Sequence, residues 1–178
     1  MNWVCILRGI NVSGYNKIPM PALKAMFGKL GFGNVSTYIQ SGNVMFEDGK
    51  GLATDELVKM ISAGIAEQFG FTVPVIVRTG EEMERIAAGN PFLKEDGIDA
   101  EKLHVTFLAE TPSPAALEAI SKYDYSPDRF IIAGREVYLY CPGGYGNTRL
   151  SNSFFESKLK VTATTRNWRT VLRLRMYV

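Results

Sequence analysis

Hydrophobic positions along the chain alternate between two spacings, and the alternation sets out a fold. Trp3 to Arg8 is a short apolar run ended by Gly9, the pattern of a buried strand. A polar loop follows from Asn11 to Lys17, and Pro19 or Pro21 opens a helix, because a first-turn proline loses no helical hydrogen bond. Leu23, Met26, Phe27 and Leu30 then share one helical face, and Gly31 ends it. Val35 to Ile39 and Val44 to Phe46 are β-rich and flank Gln40-Ser41-Gly42-Asn43, a turn signal that predicts a hairpin. Leu57, Ile61, Ile65 and Phe69 recur every fourth residue across Asp55 to Phe69, with Gly70 as a stop. Val73 to Val77 is a strand with Pro74 near its start, where a lost donor is tolerated. The order β-α-β-β-α-β specifies a ferredoxin-like half over residues 1–78.

The remainder, 79–178, reads as a second, incomplete half with C-terminal helices. Glu81 to Ala88 is a short helix broken by Asn90-Pro91. Leu103 to Leu108 is a strand and Pro114 to Ser121 a helix. Arg129 to Ala133 and Glu136 to Cys141 are strands around the tight turn Gly134-Arg135. After the glycine-rich stretch 142–146 come two helices, Asn152 to Lys160 and Arg166 to Met176. The fold class is therefore α+β, with two ferredoxin-like (βαββαβ-type) halves, the second lacking its last strand. The halves share element order but no convincing sequence repeat.

Composition narrows the class. Hydrophobic residues make up 46% of the 178 residues, enough for an ordinary core. No apolar run approaches the roughly 18 residues of a membrane span, and the first residues lack the features of a signal peptide, so the expected location is the cytoplasm. Cys5 and Cys141 are the only cysteines and sit in apolar stretches, as core thiols do. Charge is unevenly placed. Residues 145–178 carry seven basic side chains against Glu156 alone, on a body that is net acidic. That distribution suits an anionic partner.

Two groups of residues can carry chemistry. In a β-α-β-β order, the end of the first strand and the hairpin turn meet at one sheet edge. Arg8, Asn11 and Lys17 then approach Gln40, Ser41 and Asn43, a gathering of donors and positive charge suited to a phosphate or carboxylate. The alternative is that these glycines and asparagines only build turns. In the last helix, capped by Thr164 or Thr165, Arg166, Arg169 and Arg173 fall on one face with Trp168 beside them, an arrangement that grips nucleic-acid phosphates and stacks a base. The alternative there is a docked amphipathic helix with its arginines in water. The loop Gly143 to Gly146 matches no phosphate-binding motif, and Ser153 with Glu156 has capping-box spacing. His104 is the only histidine and lies in an apolar strand, Asp124 and Asp128 flank a turn, and no cysteine or histidine pair has metal-ligand spacing. No catalytic residue, metal or cofactor is assigned.

Three stretches carry a likeness: Leu7-Arg8-Gly9-Ile10-Asn11-Val12, then Thr37-Tyr38-Ile39-Gln40-Ser41-Gly42-Asn43-Val44, then Ala163-Thr164-Thr165-Arg166-Asn167-Trp168-Arg169-Thr170-Val171. In this order they resemble the bacterial domain-of-unknown-function 1697 family across nearly the whole chain. The resemblance departs at Ser13, where that family usually has glycine, and at Leu159-Lys160-Val161, where it has a Leu-Gly step. It implies ferredoxin-like halves and no particular activity.

The leading functional expectation is a binding module for a phosphate-bearing ligand, nucleic acid included. The alternatives are a metal-independent enzyme acting on a small anionic metabolite and a protein-interaction scaffold. The sequence leaves the oligomeric state open.

Overall fold

The computed structural model describes residues 1–177. The chain divides into two compact units, Met1–Arg85 with the last residues from Leu174, and Ile86–Arg173. In the first unit, strands β1 (Asn2–Leu7), β2 (Gly33–Tyr38), β3 (Asn43–Glu47) and β4 (Val75–Thr79) form an antiparallel sheet in the order β2-β3-β1-β4. Helices α1 (Met20–Lys29) and α2 (Thr54–Phe69) cover one face. Alternation along the strands turns Trp3, Cys5, Leu7, Val44, Phe46, Val75 and Val77 toward Leu23, Phe27, Leu57, Ile61 and Ile65 of those helices. The strand order is that of the ferredoxin-like fold.

The second unit repeats the plan. Strands β5 (Leu103–Leu108), β6 (Arg129–Ala133), β7 (Glu136–Tyr140) and β8 (Ala163–Asn167) pair antiparallel in the order β6-β7-β5-β8. Helices α4 (Pro114–Ile120) and α5 (Asn152–Leu159) pack on it around Leu108, Ile120, Leu139 and Phe155. This half is complete, which corrects the sequence expectation of a missing last strand. Ala163-Thr164-Thr165-Arg166-Asn167 is that strand, and its β-branched threonines favour extended backbone. The last helix, α6 (Trp168–Arg175), therefore starts two residues later than expected, and its cap is Asn167 rather than Thr164 or Thr165: Asn167 Oδ1 accepts the Thr170 amide at 2.8 Å.

Each fourth strand runs into a helix without a linker. β4 meets α3 (Gly80–Ala88) at Thr79, whose Oγ1 accepts the Glu82 amide at 3.1 Å, and β8 meets α6 at Asn167. Register places Arg78 opposite Val4 and Arg166 opposite Val105, so both fourth strands carry an arginine one residue before the cap. Both arginines are buried.

The helix-facing positions of the central strands differ. Trp3 and Cys5 in β1 correspond by register to His104 and Thr106 in β5. The Thr165 hydroxyl donates to Asn152 Oδ1 at 2.7 Å, so the 2.7 Å contact between Thr106 and Thr165 is a donation from Thr106. This chain of donors satisfies the hydroxyls of buried Thr106 and half-buried Thr165. Cys5 and Cys141 are both buried and are not joined in a disulfide. Six α-helices occur among the described residues, none long and apolar enough to cross a membrane.

Candidate functional site

The end of β1 and the β2–β3 turn meet at one edge of the first sheet, as the element order requires. The Leu7 amide donates to Gly42 O at 2.9 Å. Gly42 is needed there: its φ is 84°, and a Cβ would lie 2.6 Å from Ile10 Cδ1 and 2.9 Å from Leu7 Cβ. Beyond β1 the chain forms a small projecting hairpin, residues 11–16. Val12 bridges Tyr15 across Ser13 (φ 49°) and Gly14 (φ 81°), both left-handed, which is the type I′ geometry of a two-residue turn. Asn11 and Asn16 flank it at φ 54° and 47°, a region asparagine tolerates.

Asn11 braces this hairpin against the neighbouring turn. Its Nδ2 donates to Ile18 O at 3.0 Å and to Gln40 O at 2.8 Å, and its Oδ1 accepts the Ile18 amide at 2.9 Å. Asn16 Nδ2 donates to Gly9 O at 3.1 Å. Asn43 is fully buried, and its Nδ2 donates to Tyr38 O at 2.9 Å and Ser41 Oγ at 3.1 Å. The Asn11 side chain, expected to face a ligand, thus ties the two turns together, and that of Asn43 closes the β2–β3 turn on itself. Arg8 is half-buried, with its amide on Pro74 O. Lys17 and Gln40 are exposed and line a shallow cleft of about 390 Å³ with Asn11, Gly14, Ile18 and Pro19.

What the sequence reading missed is the apolar surface of this tip. Val12 is 58%, Tyr15 75% and Ile39 46% exposed. Ile39 also has φ 51°, a left-handed conformation that is an outlier for a β-branched residue. The Ser13-Gly14 dipeptide between Val12 and Tyr15 was the available signal, since it marks a tight turn that presents its flanking side chains.

The arginine stripe is not one surface. Arg166 lies in β8, 7% exposed, and its Nη1 donates to Thr164 Oγ1 and Thr165 O, both at 3.0 Å. Trp168 is buried as well, while Arg169 and Arg173 are exposed on α6. The indole expected to stack a base is packed instead. Ser151, not Ser153, caps α5 by accepting the Phe154 amide at 3.2 Å, and Glu156 Oε1 accepts the Ala163 amide at 3.1 Å.

His104, Asp124 and Cys141 sit in local structure of the second unit. The His104 ring stacks on Tyr145 at 4.8 Å between centroids, and burial holds its pKa below the ordinary histidine value, with the Lys102 backbone partly opposing. Asp124 Oδ1 accepts from the amide and hydroxyl of Ser126, as in an Asx turn. Burial pushes the Cys141 thiol up. Among the described residues no cluster of His, Cys, Asp and Glu is placed to hold a metal.

Comparison with known proteins gives the fold and a family. A family model described as "Protein of unknown function (DUF1697)" matches residues 1–138. The conserved bacterial protein SP0830 from Streptococcus pneumoniae has a similar structure, with 19% identity and a TM-score of 0.79 over 99% of this chain and 97% of that one. At that identity the likeness is one of fold. No curated protein matches the chain.

Proposed function

The chain belongs to the DUF1697 family of proteins of unknown function, and on that premise we propose that it is a binding module whose contact surface is the tip of the first unit and whose partner is another protein. The observation that carries this reading is Ile39. A left-handed isoleucine costs the fold about 1–2 kcal/mol, and an exposed side chain returns little of that through burial. The strain exposes an apolar group next to Gln40, on a turn that Asn43 holds and that Asn11 ties to the hairpin carrying Val12 and Tyr15. Exposed apolar side chains on two turns tied together, with exposed Lys17 and Gln40 on the same two turns, have the mixed composition of a protein contact.

A second reading keeps the phosphate-bearing ligand, nucleic acid included. It is favoured by exposed Tyr15 two residues from Lys17, since a ring and a cation so placed suit a base and its phosphate. A small-metabolite enzyme is less well supported, because Lys17 is the one titratable side chain among the cleft-lining residues.

A photo-crosslinking amino acid in place of Tyr15, with exposed Glu67 on α2 as the control position, separates these readings. A discrete adduct at position 15 alone, sensitive to protease, is expected. It should vanish in Ile39→Asn, a change that itself stabilises the fold by about 1 kcal/mol because asparagine accepts the left-handed region. A nuclease-sensitive adduct would transfer the assignment to nucleic acid, and no adduct would end the claim for this surface.

A further inference from the structure

The two sheets end in edge strands that are treated differently. In the first unit, β2 is irregular, with a register shift between Gly33 and Ser36 and Asn34 at φ 45°, and α1 packs along it. Such irregularities blunt an edge against pairing. In the second unit, β6 reads Arg129-Phe130-Ile131-Ile132-Ala133 and pairs with β7 without a shift. Helix α4 packs on α5 rather than along β6. This leaves a groove of about 560 Å³ between them, lined by Leu117, Ile120, Tyr125, Phe130 and Ile132 among others.

Register shows which backbone groups face outward. The two-residue turn Gly134-Arg135 makes Ala133 and Glu136 a hydrogen-bonded pair. Pairs alternate from there, so Ile132 and Phe130 occupy non-bonded positions opposite Val137 and Leu139. The Leu108 amide donating to Arg135 O at 2.8 Å fixes the same phase on the other side of β7. The N–H and C=O groups of Phe130 and Ile132 therefore point away from the sheet, while their side chains pack toward its helical face beside the groove. Charge sits at one end. Asp124 and Asp128 line the groove near the start of β6 and outnumber Arg149, which borders both, Asp128 Oδ2 accepting from Thr148 at 2.6 Å, whereas Arg129 is engaged by Glu95 at 2.8 Å and lies over Phe92.

We infer that this edge accepts an extended peptide as a fifth strand, with apolar residues at alternate positions entering the groove and a lysine or arginine over Asp124 and Asp128. The outward amides supply main-chain bonds and the groove selects side chains, the division of labour in strand addition. A second copy is the poorer occupant. Two β6 strands paired antiparallel about Ile131 set each Arg129 against the other's Ala133, at the far end from its carboxylates.

The test uses the full chain and labelled ten-residue peptides of alternating valine and threonine, ending in Lys-Lys, Ala-Ala or Glu-Glu. Fluorescence anisotropy should rank Lys-Lys at least about tenfold tighter than Glu-Glu, a difference of the size that charge complementarity gives. The Lys-Lys peptide should slow hydrogen exchange at the Phe130 and Ile132 amides about tenfold and leave Ile131 unchanged. Asp124→Lys should reverse the ranking. Ile132→Pro removes an outward N–H and no ladder bond, so it should abolish binding; if it unfolds, Asp124→Lys and the exchange pattern carry the test. Absence of binding by every peptide would overturn the inference. So would binding that leaves both amides unprotected, or concentration-dependent protection of both without peptide, which would assign the edge to a second copy.

Discussion

Replacing Asn11 separates a brace from a ligand-binding residue. Three hydrogen bonds of 2.8–3.0 Å leave this one side chain, two of them part-buried on Ile18 and one exposed on Gln40 O. At about 1 kcal/mol for each part-buried bond, and less where water can substitute, Asn11→Gly should cost about 2–3 kcal/mol. Asn11→Ala loses the same bonds and adds the left-handed penalty at φ 54°, so it should cost about 1 kcal/mol more. Asn11→Asp keeps the acceptor for the Ile18 amide but turns an oxygen toward two carbonyls, and should be no better than alanine. The two buried tryptophans make the assay specific. Trp3 lies in the first unit and Trp168 in the second, so urea unfolding followed by fluorescence in a Trp168→Phe background reports the first unit alone. A loss below about 1 kcal/mol in both the glycine and alanine variants would refute the brace, and equal losses in the two would refute the left-handed penalty at residue 11.

Further changes follow from the same geometry. Gly42→Ala should lower stability by about 3 kcal/mol or more, read as a fall in Tm, because its Cβ would lie 2.6 Å from Ile10 Cδ1 at φ 84°; a tolerated alanine would contradict the packing described. His104 has its folded pKa lowered, so the unfolded chain binds its proton first as pH falls. Stability should therefore be full above about pH 6.5 and decline as pH falls through the folded value, and His104→Phe should flatten that decline in urea titrations from pH 7.5 to 5. Tyr138 is 5% exposed, and burial, with Glu136 nearby, pushes its hydroxyl up to about 12. Stability should fall between about pH 10 and 12 by up to about 3 kcal/mol, a loss absent from Tyr138→Phe.

Periodicity carried the fold because helix and strand spacings are local. Leu57, Ile61 and Ile65 declare α2 without any knowledge of their partners, and the β-α-β-β-α-β order then fixes which ends of strands meet. β8 escaped because its five residues show little hydrophobic alternation: Ala163 is its only apolar side chain, and it is followed by two threonines and an arginine. The arginine spacing 166, 169 and 173 suggested a helix, but Arg166 is satisfied within its own strand by Thr164 Oγ1 and Thr165 O. The site was legible as a place and not as a surface. Asn11 and Gln40 were expected to meet and do, but the bond between them runs from a side chain to a main-chain carbonyl 29 residues away, which no residue pattern announces. Ile39 sits in a β-rich run, and its reversal of φ is set by the turn that follows.

The missing linkers at Thr79–Gly80 and Asn167–Trp168 make each strand and its helix a single phased rod. One residue inserted at either junction would turn the following helix by about 100° and leave it pointing a different face inward. The same insertion within the five-residue strand would exchange its two faces downstream. Length variation in this architecture is therefore excluded at two seams and tolerated in exposed turns such as 96–97, between the Arg129-bound Glu95 and the capping Asp99.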